Sequence, residues 1–151
     1  MWAERGSRPQ QLKQTAYKWG YIFGAVNPRT GASSALISPT VSTALMSDHL
    51  RMICEQADPD GHVVLVLDGA GWHHAQALVV PERMTLLFLP SYSPELNAIE
   101  RLWAYLKSHY LSNRVYADEA EIDAALREAW NGLTADRIMS VTRTEWIELL
   151  D

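Results

Sequence analysis

Five consecutive apolar residues, Val63-Val64-Leu65-Val66-Leu67, closed by Asp68, constrain this chain more than any other feature. An unbroken, β-branched run of that length predicts a central strand covered on both faces. The flanking segments fit that frame. Residues 17–26 are aromatic and β-branched around Gly20 and Gly24 and read as a strand. Asn27-Pro28-Arg29-Thr30-Gly31 is a turn, and residues 32–38 return as the second half of a hairpin. Pro39-Thr40 opens a helix with Thr40 as its N-cap, striped by Val41, Leu45, Leu50, Ile53 and Ala57. A short helix is expected over residues 70–78, a second buried strand over 84–89, and a rigid loop over 90–94. Leu96, Ile99, Trp103, Leu106 and Tyr110 recur at intervals of three and four, so a helix is expected from about Glu95 to Leu111. Asp118 and Thr134 cap two further helices, the last running from Ala135 to about Leu150. The order β-β-α-β-α-β-α-α-α predicts an α/β fold with a mixed sheet flanked by helices. Residues 1–16, polar and broken by Gly6 and Pro9, read as an arm; residues 17–151 read as one domain.

Composition narrows the class. Of the 151 residues 48% are hydrophobic and 21% charged, enough apolar material for a real core in one domain. No apolar run approaches the roughly 20 residues of a membrane span, and the start Met-Trp-Ala-Glu-Arg lacks a signal-like apolar region. Cys54 is the single cysteine, which rules out an intrachain disulfide framework and favours a reducing cytoplasm. The net charge of −5 argues against a domain that holds nucleic acid by counterion release alone.

Two carboxylates carry the chemistry. Asp68 ends the apolar strand, where ligands gather in open α/β sheets. On its own, an Asp at a strand–helix junction is more often a helix cap. Glu100 follows 32 positions later, beside Ile99, at the seam between apolar stripe and solvent. Alone it reads as a solvated glutamate. One helix, one strand and one loop join the two residues, a path that returns the Glu100 helix to the sheet edge near Asp68. Converging carboxylates suit Mg²⁺, with Mn²⁺ able to substitute, because both are hard ions that take oxygen ligands. Two such ions ~4 Å apart can activate a water or 3′-hydroxyl and stabilise the leaving oxygen of a phosphodiester. Without metal, like charges this close raise a carboxylate pKa.

The segment Leu89-Pro90-Ser91-Tyr92-Ser93-Pro94-Glu95-Leu96-Asn97-Ala98-Ile99-Glu100-Arg101-Leu102-Trp103 resembles the pattern LPxYSPxLNPIExxW of the DDE transposases of bacterial insertion sequences in the mariner-like superfamily. Val66-Leu67-Asp68-Gly69-Ala70-Gly71-Trp72-His73 resembles the family's second-aspartate motif, and the segments beginning at Trp2 and Gly24 resemble its upstream ones. The resemblance runs in order along nearly the whole chain. It implies an RNase H-like fold, as in retroviral integrases, and a magnesium-dependent enzyme that cuts DNA at transposon ends and transfers the freed strand to target DNA. It implies Asp68 and Glu100 as the second and third catalytic, metal-binding acids. It implies Asn97 and His73 as residues near the site. For Asn97 a place in the first turn of its helix is the alternative, and for His73 helix packing.

Two departures stand out. Ala98 replaces the family's proline, which relaxes the helix start without removing a ligand. The family's first strand, its first aspartate and its helix-turn-helix region precede the segment that begins here at Trp2. They are expected to be missing, which accounts for the acidic balance. Glu4 is a poor substitute, and Asp48, Asp58 and Asp60 fall on or just after the first helix. Arg101, Lys107 and Lys13 are candidates for phosphate contact, though each taken singly reads more readily as a solvated charge. His74 diverges from His73 by ~100° on a helix, so the pair cannot readily share an ion. Trp103 and Trp130 sit at core spacing. The expected partners are DNA, further copies of the chain through an exposed sheet edge, and an upstream polypeptide supplying the first strand. The competing expectation is an inactive remnant that only self-associates or contacts DNA.

Overall fold

The computed structural model describes residues 21–68, 77–111 and 115–148. The arm expected over 1–16, the start of the first strand, the short helix over 70–78 apart from its end, Lys13, His73 and His74 lie outside them.

The described part is a mixed α/β structure. β1 (Tyr21–Val26) and β2 (Ser33–Ser38) form the expected antiparallel hairpin, with Tyr21 opposite Ser38 and Val26 opposite Ser33. Its turn closes where Gly31, at φ 77°, donates its N–H to the Asn27 carbonyl at 2.8 Å. Asn27 Oδ1 in turn accepts from Arg29 N–H. α1 (Thr43–Gln56) follows. Its cap is Ser42, not Thr40 as the sequence indicated: Ser42 Oγ accepts from Leu45 N–H at 3.1 Å. The helix begins two residues later than expected, after an extended Ser42, and a hydroxyl three residues before a free N–H caps better than one five before it.

β3 (Val63–Asp68) and β4 (Met84–Leu89) pair in parallel, Asp68 opposite Leu89. The sequence predicts one mixed sheet; among the described residues the strands form two separate pairs, β1–β2 and β3–β4. Nor is β3 covered on both faces. Val63, Leu65 and Leu67 turn to the core, while Val64 is 59% exposed and Leu87 of β4, opposite Val66, is 49% exposed. The apolar run therefore behaves as an alternating strand whose outer face is unusually apolar. Arg83 ties the start of β4 to the end of α1. Its guanidinium donates to the Cys54, Asp58 and Gly61 carbonyls at 2.7, 2.7 and 2.9 Å, satisfying groups that a helix end leaves open.

The helix expected from Glu95 to Leu111 is divided. A 3₁₀ turn, Pro94–Leu96, precedes α2 (Ala98–Leu106), and a π-helical turn, Lys107–Leu111, ends it. Asn97 breaks the run because its own side chain caps α2. α3 (Glu119–Asn131) and α4 (Ala135–Thr142) carry the predicted caps, Asp118 and Thr134, whose side chains accept from the N–H groups of Glu121 and Arg137. The last helix stops at Arg143, whose backbone leaves the helical region at ψ 128°, and resumes as α5 (Glu145–Glu148). One core joins all of this: Ile22 and Phe23 of β1, Met46 and Leu50 of α1, Leu67 of β3, and Leu102, Trp103 and Leu106 of α2. Trp103 and Trp130 lie 5.8 Å apart between ring centroids, so both are packing residues. No helix among the described residues is long and apolar enough to cross a membrane.

Candidate functional site

Asp68 stands at the carboxyl end of β3, on the same face of the strand as Val64 and Val66 by strand alternation. Glu100 lies in the first turn of α2, half-buried. The connection between them folds back as the sequence implies, and the two carboxyls interact. The Asp68 pKa is raised above its ordinary 3.8, first by burial and then by the negative charge of Glu100; the Asn97 side chain opposes this. A carboxylate made harder to ionise by burial and by a neighbouring anion is a candidate for a functional site.

Asn97 is the positioning element. It is 5% exposed, and its Oδ1 accepts from Ile99 N–H at 3.3 Å, fixing the start of α2. Its Nδ2 is buried and makes no full hydrogen bond, so its influence on Asp68 is a longer polar contact. The 3₁₀ turn before it is pinned from the far end of the chain, where Trp146 Nε1 donates to the Leu96 carbonyl at 3.0 Å.

The remaining candidates are not all in this corner. Arg101 is exposed, and its guanidinium donates to the Arg143 carbonyl, tying α2 to the α4–α5 junction. Lys107 is exposed on the π-helical turn, nearly two helical turns beyond Glu100. Among the described residues no group of three or more His, Cys, Asp or Glu side chains could hold a metal ion. The donor set there is two carboxylates, hard oxygen donors that fit Mg²⁺ or Mn²⁺ as part of a shell, while the Asn97 oxygen is taken up by Ile99 N–H.

Two residues carry more than the sequence indicated: Tyr92, to which it gave no role of its own, and His49, which it read as helix packing. Tyr92 adopts φ 59° and is 84% exposed, on the loop leading from β4 to Asn97. A non-glycine residue in the left-handed region is a strained position of the kind found at functional sites. Its place as the tyrosine of the LPxYSP pattern, between Pro90 and Pro94, was the signal. His49 is 2% exposed, and neither ring nitrogen has a full hydrogen bond. Burial pushes its pKa down to about 4, partly offset by the Ser34 backbone. Its spacing of three from Met46 placed it on the core face of α1.

Residues 1–123 match the family model described as DDE superfamily endonuclease. An uncharacterised protein of Sinorhizobium fredii, y4pE/y4sA, is 44% identical over 130 residues, covering 85% of this chain and 96% of that protein. The Tc3 transposase of Caenorhabditis elegans is 31% identical over 64 residues, 42% of this chain and 20% of the transposase. The chain thus spans most of the first relative and about a fifth of the second. No solved structure matches.

Proposed function

From the premise that this chain belongs to the DDE superfamily endonuclease family, we propose that it is the catalytic part of a transposase that cuts DNA at transposon ends and joins the freed 3′ end to target DNA. The observation that carries this reading is the Asp68–Glu100 pair, with the Asp68 carboxyl raised by burial and by the charge of Glu100. In this reading the fold is RNase H-like. Asp68 and Glu100 hold Mg²⁺, or Mn²⁺ in its place, and the bound metal supplies the Lewis acidity that phosphodiester chemistry needs. Asn97 keeps Glu100 on a fixed helix start. Tyr92 offers an exposed ring on which an unpaired base can stack. Lys107 and His73 meet the phosphate backbone, and Arg101 supports α2 from the side.

The test is nicking of supercoiled plasmid by the purified chain with Mn²⁺, alongside calorimetric titration of the metal. Nicking abolished in both Asp68→Asn and Glu100→Gln supports the assignment. Nicking that persists in both variants overturns it. A second reading is favoured by the two-carboxylate donor set: the site is completed by a carboxylate from an upstream polypeptide, and the chain alone binds metal weakly without turnover. Nicking that appears only when the upstream-encoded segment is added supports that reading over the first. A chain that binds no Mn²⁺ at millimolar concentration, with or without that segment, is the inactive remnant.

A further inference from the structure

Glu100 is held on both sides by the far end of the chain. Before it, the Leu96 carbonyl accepts from Trp146 Nε1 at 3.0 Å, across 50 positions of sequence. Just after it, the Arg101 guanidinium donates to the Arg143 carbonyl, across 42 positions. The first bond supplies a partner that the local chain does not. The Ile99 and Glu100 N–H groups, which a continuing 3₁₀ or α-helical turn would aim at Leu96, go to Asn97 Oδ1 and the Asn97 carbonyl instead. An indole N–H can only donate, and a carbonyl left over at a helix start is what it fits.

Both contacts come from a short hook, residues 143–148, whose root is buried. Thr142 and Thr144 are 0% and 5% exposed, and Thr142 Oγ1 donates to the Ile138 carbonyl at 2.6 Å. An ion pair between Arg143 and Glu148 closes the hook. Trp146 and Ile147 line the cleft between β1 and β3 together with Asn97, Ala98 and Ile99, so the hook lies against the start of α2. It lies beyond residues 1–123, which carry the family match, so no family motif assigns it a role.

A helix frays first at its ends, where the leading N–H groups have no intrahelical partner. The loop before α2 also holds Tyr92 in the left-handed region, so the approach to the helix is strained. A ligand on such a first turn keeps its place only if something outside the helix holds it, and a misplacement on the order of 0.5 Å is enough to degrade a site.

We propose that Trp146 is a positioning residue for the Asp68–Glu100 site, acting through Leu96. Its indole N–H fixes the turn before α2, the Arg101–Arg143 bond fixes the helix just past Glu100, and the Glu100 carboxyl is thereby held at one reach from Asp68. This role rests on the reading of Asp68 and Glu100 as metal ligands. A Trp146 that served packing alone would add stability without any particular tie to those two carboxyls.

The test uses the 151-residue chain and two readouts, neither of them catalysis: backbone amide exchange at Asn97, Ile99 and Glu100, and calorimetric titration of Mn²⁺. Trp146→Phe keeps a ring in place and removes the donor. It is expected to speed exchange at those amides and to weaken Mn²⁺ binding by about tenfold, the low end of what loss of an outer-shell partner costs. Should Trp146→Phe lose its fold, Arg101→Met on the exposed second tether carries the same expectation and the same overturning results. Thr134→Ala is the control. It removes the cap of α4 and loosens the same end of the chain, yet should leave both readouts at the parent's values. Unchanged amides in Trp146→Phe overturn the proposal, because the bond then does not hold the helix start. Faster amides with the parent's Mn²⁺ affinity overturn it too, because Trp146 is then structural only. So does an equal loss of affinity in Thr134→Ala. Failure of the underlying reading looks different. A parent chain that binds no Mn²⁺, or binds it as well after Asp68→Asn, removes the metal pair and the positioning role together, whatever Trp146→Phe does.

Discussion

The Glu100 N–H donates to the Asn97 carbonyl at 3.1 Å, in the same turn in which the Asn97 side chain accepts from Ile99 N–H at 3.3 Å. The residue that sets the start of α2 thus also sets where the first acidic side chain of that helix stands. The same asparagine opposes the upward pull on the Asp68 pKa. Helix start, glutamate and aspartate are therefore linked through one buried amide.

Asn97→Ala is expected to destabilise the chain by about 1 kcal/mol, the usual cost of a lost cap. Asn97→Ser keeps a capping oxygen and is expected to recover most of that loss. Neither variant keeps the amide beside Asp68, so both should raise the Asp68 pKa further. Urea denaturation checks the first effect, and carboxyl-detected NMR titration the second.

The raised Asp68 pKa has a direction in stability. In the folded chain Asp68 keeps its proton to a higher pH than in the unfolded chain. Its favourable contribution is present below the unfolded value of about 3.8 and is lost as pH rises through the folded value. At neutral pH without metal, Asp68→Asn is expected to raise the melting temperature. Divalent metal should reverse the ranking, because it stabilises the ionised pair in the parent chain and not in the variant. Scanning calorimetry with EDTA and with Mn²⁺ decides this; a parent chain whose melting temperature ignores Mn²⁺ would refute it.

His49 predicts acid lability. Its folded pKa of about 4 lies below the unfolded 6.5, so the unfolded chain takes up the proton first. Stability contributed by neutral His49 is complete above about pH 6.5 and is lost as pH falls towards 4, by at most roughly 3 kcal/mol. His49→Met, close in volume, is expected to flatten the loss between those limits. Urea midpoints at pH 7, 5.5 and 4.5 measure it.

Gly31→Ala is expected to destabilise by about 2 kcal/mol or more. Gly31 sits at φ 77°, and an added Cβ would stand 2.6 Å from the Ala135 Cα, against backbone that cannot swing away. The hairpin and the start of α4 would both have to move. A urea midpoint equal to the parent's would contradict this packing.

Tyr92 is testable apart from the metal site. Tyr92→Ala is expected to weaken binding of a branched or single-stranded oligonucleotide several-fold, and Tyr92→Phe to retain it, since stacking needs only the ring. Equal loss in both variants would assign the effect to the hydroxyl instead.

Sequence alone determined the local features of this chain. The hairpin, the caps at Asp118 and Thr134, the strand ending at Asp68 and the apolar stripe of α2 follow from spacing and turn chemistry, which act between residues a few positions apart. The family was legible for the same reason, since its motifs are contiguous. Other features were decided only by the tertiary structure. Ser42 rather than Thr40 caps α1 because the chain enters the helix only after an extended Ser42. The run at Val63–Leu67 read as buried on both faces, yet Val64 is exposed, because burial depends on what packs alongside. The interaction of Asp68 with Glu100 and the cleft between β1 and β3 belong to the same class. Each joins residues tens of positions apart, brought together by the shared core under α1 and α2 and not by any local rule.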